Sequence, residues 1–73
     1  MTILITSETC APCKIVKQKI AENGWTVEVL DLNTSDGVSK ARQHSIRNVP
    51  TLITDEGSII VGAENILKEL EGK

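Results

Sequence analysis

Two short aliphatic runs separated by a stretch of helical spacing limit the folds open to this chain more than any other feature. Ile3-Leu4-Ile5 is continuous rather than alternating, the pattern of a strand buried on both faces and therefore central in its sheet. The polar Thr6-Ser7-Glu8-Thr9 follows. From Cys10 to Asn23 the chain then places Cys13, Val16 and Ile20 at helical spacing, with Lys14, Lys17, Gln18 and Glu22 elsewhere and Asn23-Gly24 as the stop. Pro12 suits the first turn, where its missing N–H removes no helical hydrogen bond. Thr26 to Leu32 reads as a second strand. A strand, a helix and a strand joined by short connections imply a right-handed parallel βαβ unit.

The remaining segments extend this unit. Asn33 to Asp36 offers N-cap candidates before Val38, Ala41 and Ser45, a weakly apolar helical face. Thr51–Thr54 and Ser58–Val61 flank Asp55-Glu56-Gly57, a connection whose glycine can take the left-handed conformation that hairpins require, so these strands are antiparallel neighbours. Glu64 to Glu71 sets Ile66, Leu67 and Leu70 on one side and a Glu64–Lys68 pair on the other. The expected order is βαβαββα: an α/β fold with a central mixed four-stranded sheet and three helices. With 73 residues and neither repeat nor linker, residues 1–73 are expected to form a single domain.

Composition removes several function classes. Aromatic residues are 1% of the chain, Trp25 alone, so Ile, Leu and Val must build the core and there are few rings on which bases could stack. Net charge is −2 with no basic run, which leaves no electrostatic footprint for nucleic acid. The longest apolar runs fall far short of the roughly 20 residues that span a bilayer, and no leader-like pattern follows Met1. The expectation is a cytoplasmic monomer with no membrane or nucleic-acid partner.

Cys10 and Cys13 carry the chemistry. A disulfide between them would close so small a loop that it removes little entropy from the unfolded chain, and such a pair more often serves metal binding or redox chemistry than stapling. In the redox reading, Cys10 at a helix start meets unpaired N–H groups and the positive end of the helix dipole, which favours its thiolate. Cys13, one turn further and more buried, would resolve a mixed disulfide formed at Cys10. In the metal reading, the CxxC takes a soft cation such as Cu(I) or Zn(II). Small copper chaperones of this length run βαββαβ, however, and two thiolates complete no tetrahedral zinc site unaided.

Cys10-Ala11-Pro12-Cys13 after the first strand, Val49-Pro50-Thr51 at the start of a later strand and Gly62 before the last helix together resemble the thioredoxin/glutaredoxin superfamily, in its smallest, glutaredoxin-like form. The resemblance covers nearly the whole chain. It implies a thioredoxin-like fold and a thiol-disulfide oxidoreductase that reduces protein disulfides through Cys10 and Cys13, with no cofactor and no metal. It also implies a cis proline at Pro50 facing the sulfur pair, and substrate contacts from Thr9, Ala11, Pro12, Val49, Pro50, Thr51 and Gly62. The implied partners are disulfide-containing clients, ribonucleotide reductase among them, and either a thioredoxin-reductase-type flavoenzyme or glutathione as reductant.

The departures from that family pattern decide between the reductants. Ala11-Pro12 and the following Lys14 are closer to thioredoxin. Thr9, though, stands where thioredoxins place a tryptophan, and Leu4 where they carry a buried acid. Ser7-Glu8-Thr9 lacks the base with which glutaredoxins hold glutathione, and Gly62-Ala63-Glu64-Asn65 keeps only the glycine and a helix start. The flavoenzyme is therefore the expected reductant. His44 is read as a surface group near the end of the second helix, Arg47 as either a solvated surface group or a contact for an acidic partner, and Trp25 as a cover for the end of the first helix.

Overall fold

Four residues, Ile3–Thr6, form the strand on which the other elements are hung. In the computed structural model, which describes residues 2–72, the elements are β1 (Ile3–Thr6), α1 (Ala11–Asn23), β2 (Glu28–Asp31), α2 (Ser35–Gln43), β3 (Thr51–Ile53), β4 (Ile59–Val61) and α3 (Ala63–Glu71). The sheet order is β2-β1-β3-β4. β1 pairs parallel with β2 (Leu4 opposite Val29) and antiparallel with β3 (Leu4 opposite Leu52), and β3 pairs antiparallel with β4. The expected βαβαββα order and mixed sheet are thus present.

The aliphatic run buries both faces because successive side chains point to opposite sides. Leu4 joins Leu52, Val16 and Ile20 of α1, and Ile66 and Leu70 of α3. Ile3 and Ile5 join Ile53 and Ala41 of α2, with Leu30, Leu32, Ile46 and Val49 packed around them. Helices α1 and α3 therefore cover one face and α2 the other. Because α2 packs on β1 and β2, Ile59 and Val61, which share the α2 face with their partners Ile53 and Thr51, remain exposed.

Element ends differ from the sequence expectation where local hydrogen bonds decide them. The strand expected over Thr26–Leu32 shortens to Glu28–Asp31, since β1 offers only four residues to pair; bonds from Glu28 N–H to Thr2 O (2.9 Å) and from Leu32 N–H to Thr6 O (2.9 Å) bracket it. The hairpin strands each lose one residue, as Thr54 and Ser58 belong to a turn closed by Thr54 N–H to Ser58 O at 3.0 Å. Gly57 takes the left-handed φ of 87°. Helix α3 starts one residue early, at Ala63.

Ser45 was expected on the apolar face of the second helix and lies beyond its end. It adopts φ 55°, while Ile46 N–H reaches Ala41 O at 2.8 Å and Ser45 N–H reaches Arg42 O at 3.2 Å. This is a Schellman termination, and the hydrophobic contact that accompanies such ends comes from Ile46 and Ala41 in one cluster. Helix α1 ends comparably: Gly24 is left-handed at φ 65°, Trp25 N–H reaches Ile20 O at 3.2 Å, and Trp25 packs against the cluster that contains Ile20. Trp25 covers the helix end, as expected.

The sequence did not single out Gly37, in the first turn of α2. A Cβ there would lie 1.9 Å from the carbonyl oxygen of Asp31, so α2 sits directly on the backbone leaving β2. Gly37→Ala is expected to cost about 2–3 kcal/mol of stability through overpacking, read as a lowered urea midpoint; an unchanged midpoint would remove the close approach from the account. Ser45→Gly should act in the opposite direction, adding about 0.5–1 kcal/mol by relieving a left-handed non-glycine residue.

Candidate active site

The site begins where β1 ends. The chain turns over Ser7–Cys10, with Cys10 N–H bonded to Ser7 O at 3.3 Å, and enters α1 through an extended Cys10 (φ −97°, ψ 109°) that serves as N-cap. The helix starts at Ala11, one residue later than its sequence pattern implied. Cys10 Sγ accepts the Cys13 N–H at 3.2 Å, the bond that Ser or Asp oxygens usually accept at this position. Pro12, in the first turn, withdraws one of the N–H donors that would otherwise need a partner.

Cys10 and Cys13 form a disulfide, their Cα atoms 5.2 Å apart. Their surroundings differ sharply. Cys13 is 0% exposed, on the helix face that also buries Val16 and Ile20, whereas Cys10 is half-buried at the mouth of the turn. An incoming sulfur can reach only one of the two. Thr9, Ala11 and Pro12 around Cys10 are exposed.

The second part of the site comes from β3. Because β3 is antiparallel to β1 and Ile5 is opposite Thr51, the start of β3 lies at the same sheet end as the exit of β1. The Val49-Pro50 peptide bond there is cis. Pro50 and Thr51 are buried, Val49 packs into the α2-side cluster, and the Thr51 hydroxyl donates to Asn48 O. Gly62, at φ 96° between β4 and α3, donates its N–H to Pro50 O at 3.1 Å. The topology thus gathers Thr9 through Cys13, Val49 through Thr51, and Gly62 at one end of the sheet.

Other residues considered from the sequence lie apart or at the rim. His44 and Arg47 help line a cavity of about 230 Å³ with Thr51, Ile59 and Val61 on the α2 side, so it adjoins the site through Thr51 while no cysteine lines it. Lys14 is exposed. Glu64 is exposed at the start of α3, 3.6 Å from Lys68. Among the described residues no group of three or more His, Cys, Asp or Glu could hold a metal ion, and no helix is long and apolar enough to cross a membrane.

Thr6 was missed. Read as the first polar residue of the loop, it is instead the last residue of β1, fully buried, its hydroxyl without a hydrogen-bond partner among the described residues. Extending the two-residue alternation from Leu4 would have found it, since it points to the face that α1 covers.

The chain is similar to known proteins over nearly its whole length. The chain is 34% identical over 76 residues to a probable thioredoxin of Archaeoglobus fulgidus, a match covering 96% of this chain and 84% of that protein. A crystal structure of a mutant thioredoxin-like protein superposes with TM-score 0.77 at 20% identity, covering 97% of this chain and 99% of the other. The holo form of glutaredoxin C1 from Populus tremula × tremuloides gives 0.67 at 22% identity, covering 99% and 75%. No protein-family model matches.

An orphaned buried hydroxyl costs about 1–3 kcal/mol. Thr6→Val, which keeps the shape and removes the hydroxyl, should therefore stabilise the oxidised protein by about 1 kcal/mol, a rise of about 4–8 °C in Tm for a domain of this size. A Tm that falls would mean that the hydroxyl is satisfied in solution.

Proposed function

The chain belongs to the thioredoxin/glutaredoxin superfamily and is a thiol-disulfide oxidoreductase, and from that premise we propose that Cys10 attacks client disulfides, Cys13 resolves them, and a flavoenzyme of the thioredoxin-reductase type restores the dithiol. The unequal burial of the bonded pair carries this reading.

In the reduced protein, the Cys13 N–H and the N-terminal end of α1 favour the Cys10 thiolate. It attacks one sulfur of the client disulfide. A bond forms between Cys10 Sγ and the client, the client S–S bond breaks, and the departing client sulfur leaves as a thiolate that takes a proton from water. Cys13 then loses its proton and attacks Cys10 Sγ, expelling the second client thiol and closing the Cys10–Cys13 disulfide. Two electrons have passed to the client. The reductase returns two electrons through the reverse exchange, again at Cys10.

Substrate contacts are assigned to Thr9, Ala11 and Pro12 around the reactive sulfur and to Val49, Pro50, Thr51 and Gly62 across the sheet end. A strand start suits pairing with a client segment. Clients are disulfide proteins, ribonucleotide reductase being the class that the family resemblance suggests. The soft-metal alternative has less support, because the βαβαββα order differs from that of the copper chaperones and two thiolates need further ligands.

The choice of reductant rests on charge. Tight glutathione binding needs donors or cations for both carboxylates, and the positions that would supply them hold Ser7, Glu8, Ala63 and Glu64. Exposed Glu64, paired with Lys68, supplies no cation at the start of α3.

Iodoacetamide at neutral pH should label Cys10 of the reduced protein well before Cys13; the reverse order would exchange their roles. Cys13→Ser should accumulate mixed disulfides with an oxidised protein substrate, visible on non-reducing gels, and no adduct would end the two-step scheme. Steady-state turnover should be faster with thioredoxin reductase and NADPH than with glutathione and its reductase, and Glu64→Lys should raise the glutathione rate. Efficient, saturable glutathione turnover by the unmodified protein would overturn the assignment of reductant.

A further inference from the structure

Helix α1 buries Cys13, Val16 and Ile20 and turns its opposite side to solvent, yet that side is not uniformly polar. Ile15 is 54% exposed, the most exposed of the large hydrophobic residues among those described. Residues three and four apart are neighbours on a helix surface, so Ile15 adjoins exposed Pro12 and Ala11, and the three form one aliphatic patch starting next to the reactive sulfur. Nothing in the fold requires it, since the sheet face beneath α1 is filled by Leu4, Leu52, Ile66 and Leu70.

Within α1 the charged residues one turn from the patch are both lysines, with exposed Glu8 in the turn before Cys10 and exposed Glu22 one turn beyond Lys19. Lys14 lies one turn from Ala11 and Lys19 one turn from Ile15; both are exposed, neither has an ion pair among the described residues, and the first turn of α1 contains no acid.

Disulfide exchange at Cys10 requires the partner's sulfur to come within bonding distance, so the partner's surface must lie over whatever is within a helical turn. We propose that Ala11, Pro12 and Ile15 are the apolar part of a docking surface for the exchange partner, with Lys14 and Lys19 selecting the chemistry beside its disulfide: an aliphatic side chain flanked by carboxylates. The inference rests on the oxidoreductase reading and names what that activity prefers. Covering the exposed half of Ile15 excludes water from an aliphatic surface, and the lysines accelerate encounter with an acidic surface in a salt-dependent manner.

The probes are two disulfide-bonded peptides of equal length, one with Leu and Asp beside the disulfide and one with Ser and Lys in their place, together with bis(2-hydroxyethyl) disulfide, which is too small to reach Ile15. Single-turnover oxidation of the prereduced protein is followed by acid quench and alkylation. The unmodified protein should react about tenfold faster with the Leu–Asp peptide, a difference of about 1.4 kcal/mol. Ile15→Ser should lose about fivefold of that rate, Ile15→Leu should retain it, and the small disulfide should change less than twofold in both. Reversing Lys14 and Lys19 to Glu should invert the salt dependence of the Leu–Asp reaction, added salt then raising its rate. Equal losses with peptide and small disulfide, or no loss in Ile15→Ser, would overturn the docking surface while leaving the oxidoreductase reading intact. No exchange of the unmodified protein with any of the three probes would overturn that reading itself.

Discussion

β1 must bury side chains on both faces at once, and most of the structure follows from meeting that demand. Leu4 and Ile5 are both 0% exposed on opposite sides of the sheet, so one layer of helix cannot suffice; α1 with α3 closes one side and α2 the other. Truncating a core Leu or Ile to Ala typically costs about 2–5 kcal/mol. A chain of 73 residues has roughly 4–11 kcal/mol in total at about 0.05–0.15 kcal/mol per residue. With one aromatic residue and little spare core, the strand tolerates almost no loss.

The same strand positions the chemistry. Its direction delivers the chain to the N-terminus of α1, where Cys10 becomes the cap, and its antiparallel pairing with β3 brings Val49-Pro50-Thr51 to that end. The Gly62 N–H to Pro50 O bond then ties the β4–α3 junction to the same place. Segments far apart in sequence meet at one end of the sheet because three strand ends coincide.

Much of this was legible from short-range patterns. The aliphatic run, the Asn23-Gly24 stop, the Asp55-Glu56-Gly57 turn and the CxxC spacing each have a local physical cause, and each element stands where its pattern placed it. What the pattern missed depends on contacts made across the fold. The alanine-sized clash that Gly37 avoids involves the Asp31 carbonyl, which no periodicity reports. Ser45 fitted a helical spacing, but the helix had already ended in a Schellman turn that is usually signalled by glycine. Thr6 was taken for loop because it is polar, and it lies buried because the strand outlasts its apolar letters. Ile15 lies outside the Cys13, Val16 and Ile20 spacing, and the sequence reading did not consider it.

An oxidoreductase of this design must stay folded in both redox states, and the short loop between its sulfurs makes that possible. On the chain-entropy account, a bridge closing a loop of about four residues restrains the unfolded state by about 2 kcal/mol, less than a longer loop would and below the roughly 4–11 kcal/mol expected for the domain. Reduction therefore lowers the stability without exhausting it. Cys13 is held on the buried face of α1 by the packing of Val16 and Ile20, which does not involve the S–S bond, so the reduced thiol keeps its place beneath Cys10. The core contacts that hold α1 on the sheet are thus independent of the bond that the exchange makes and breaks.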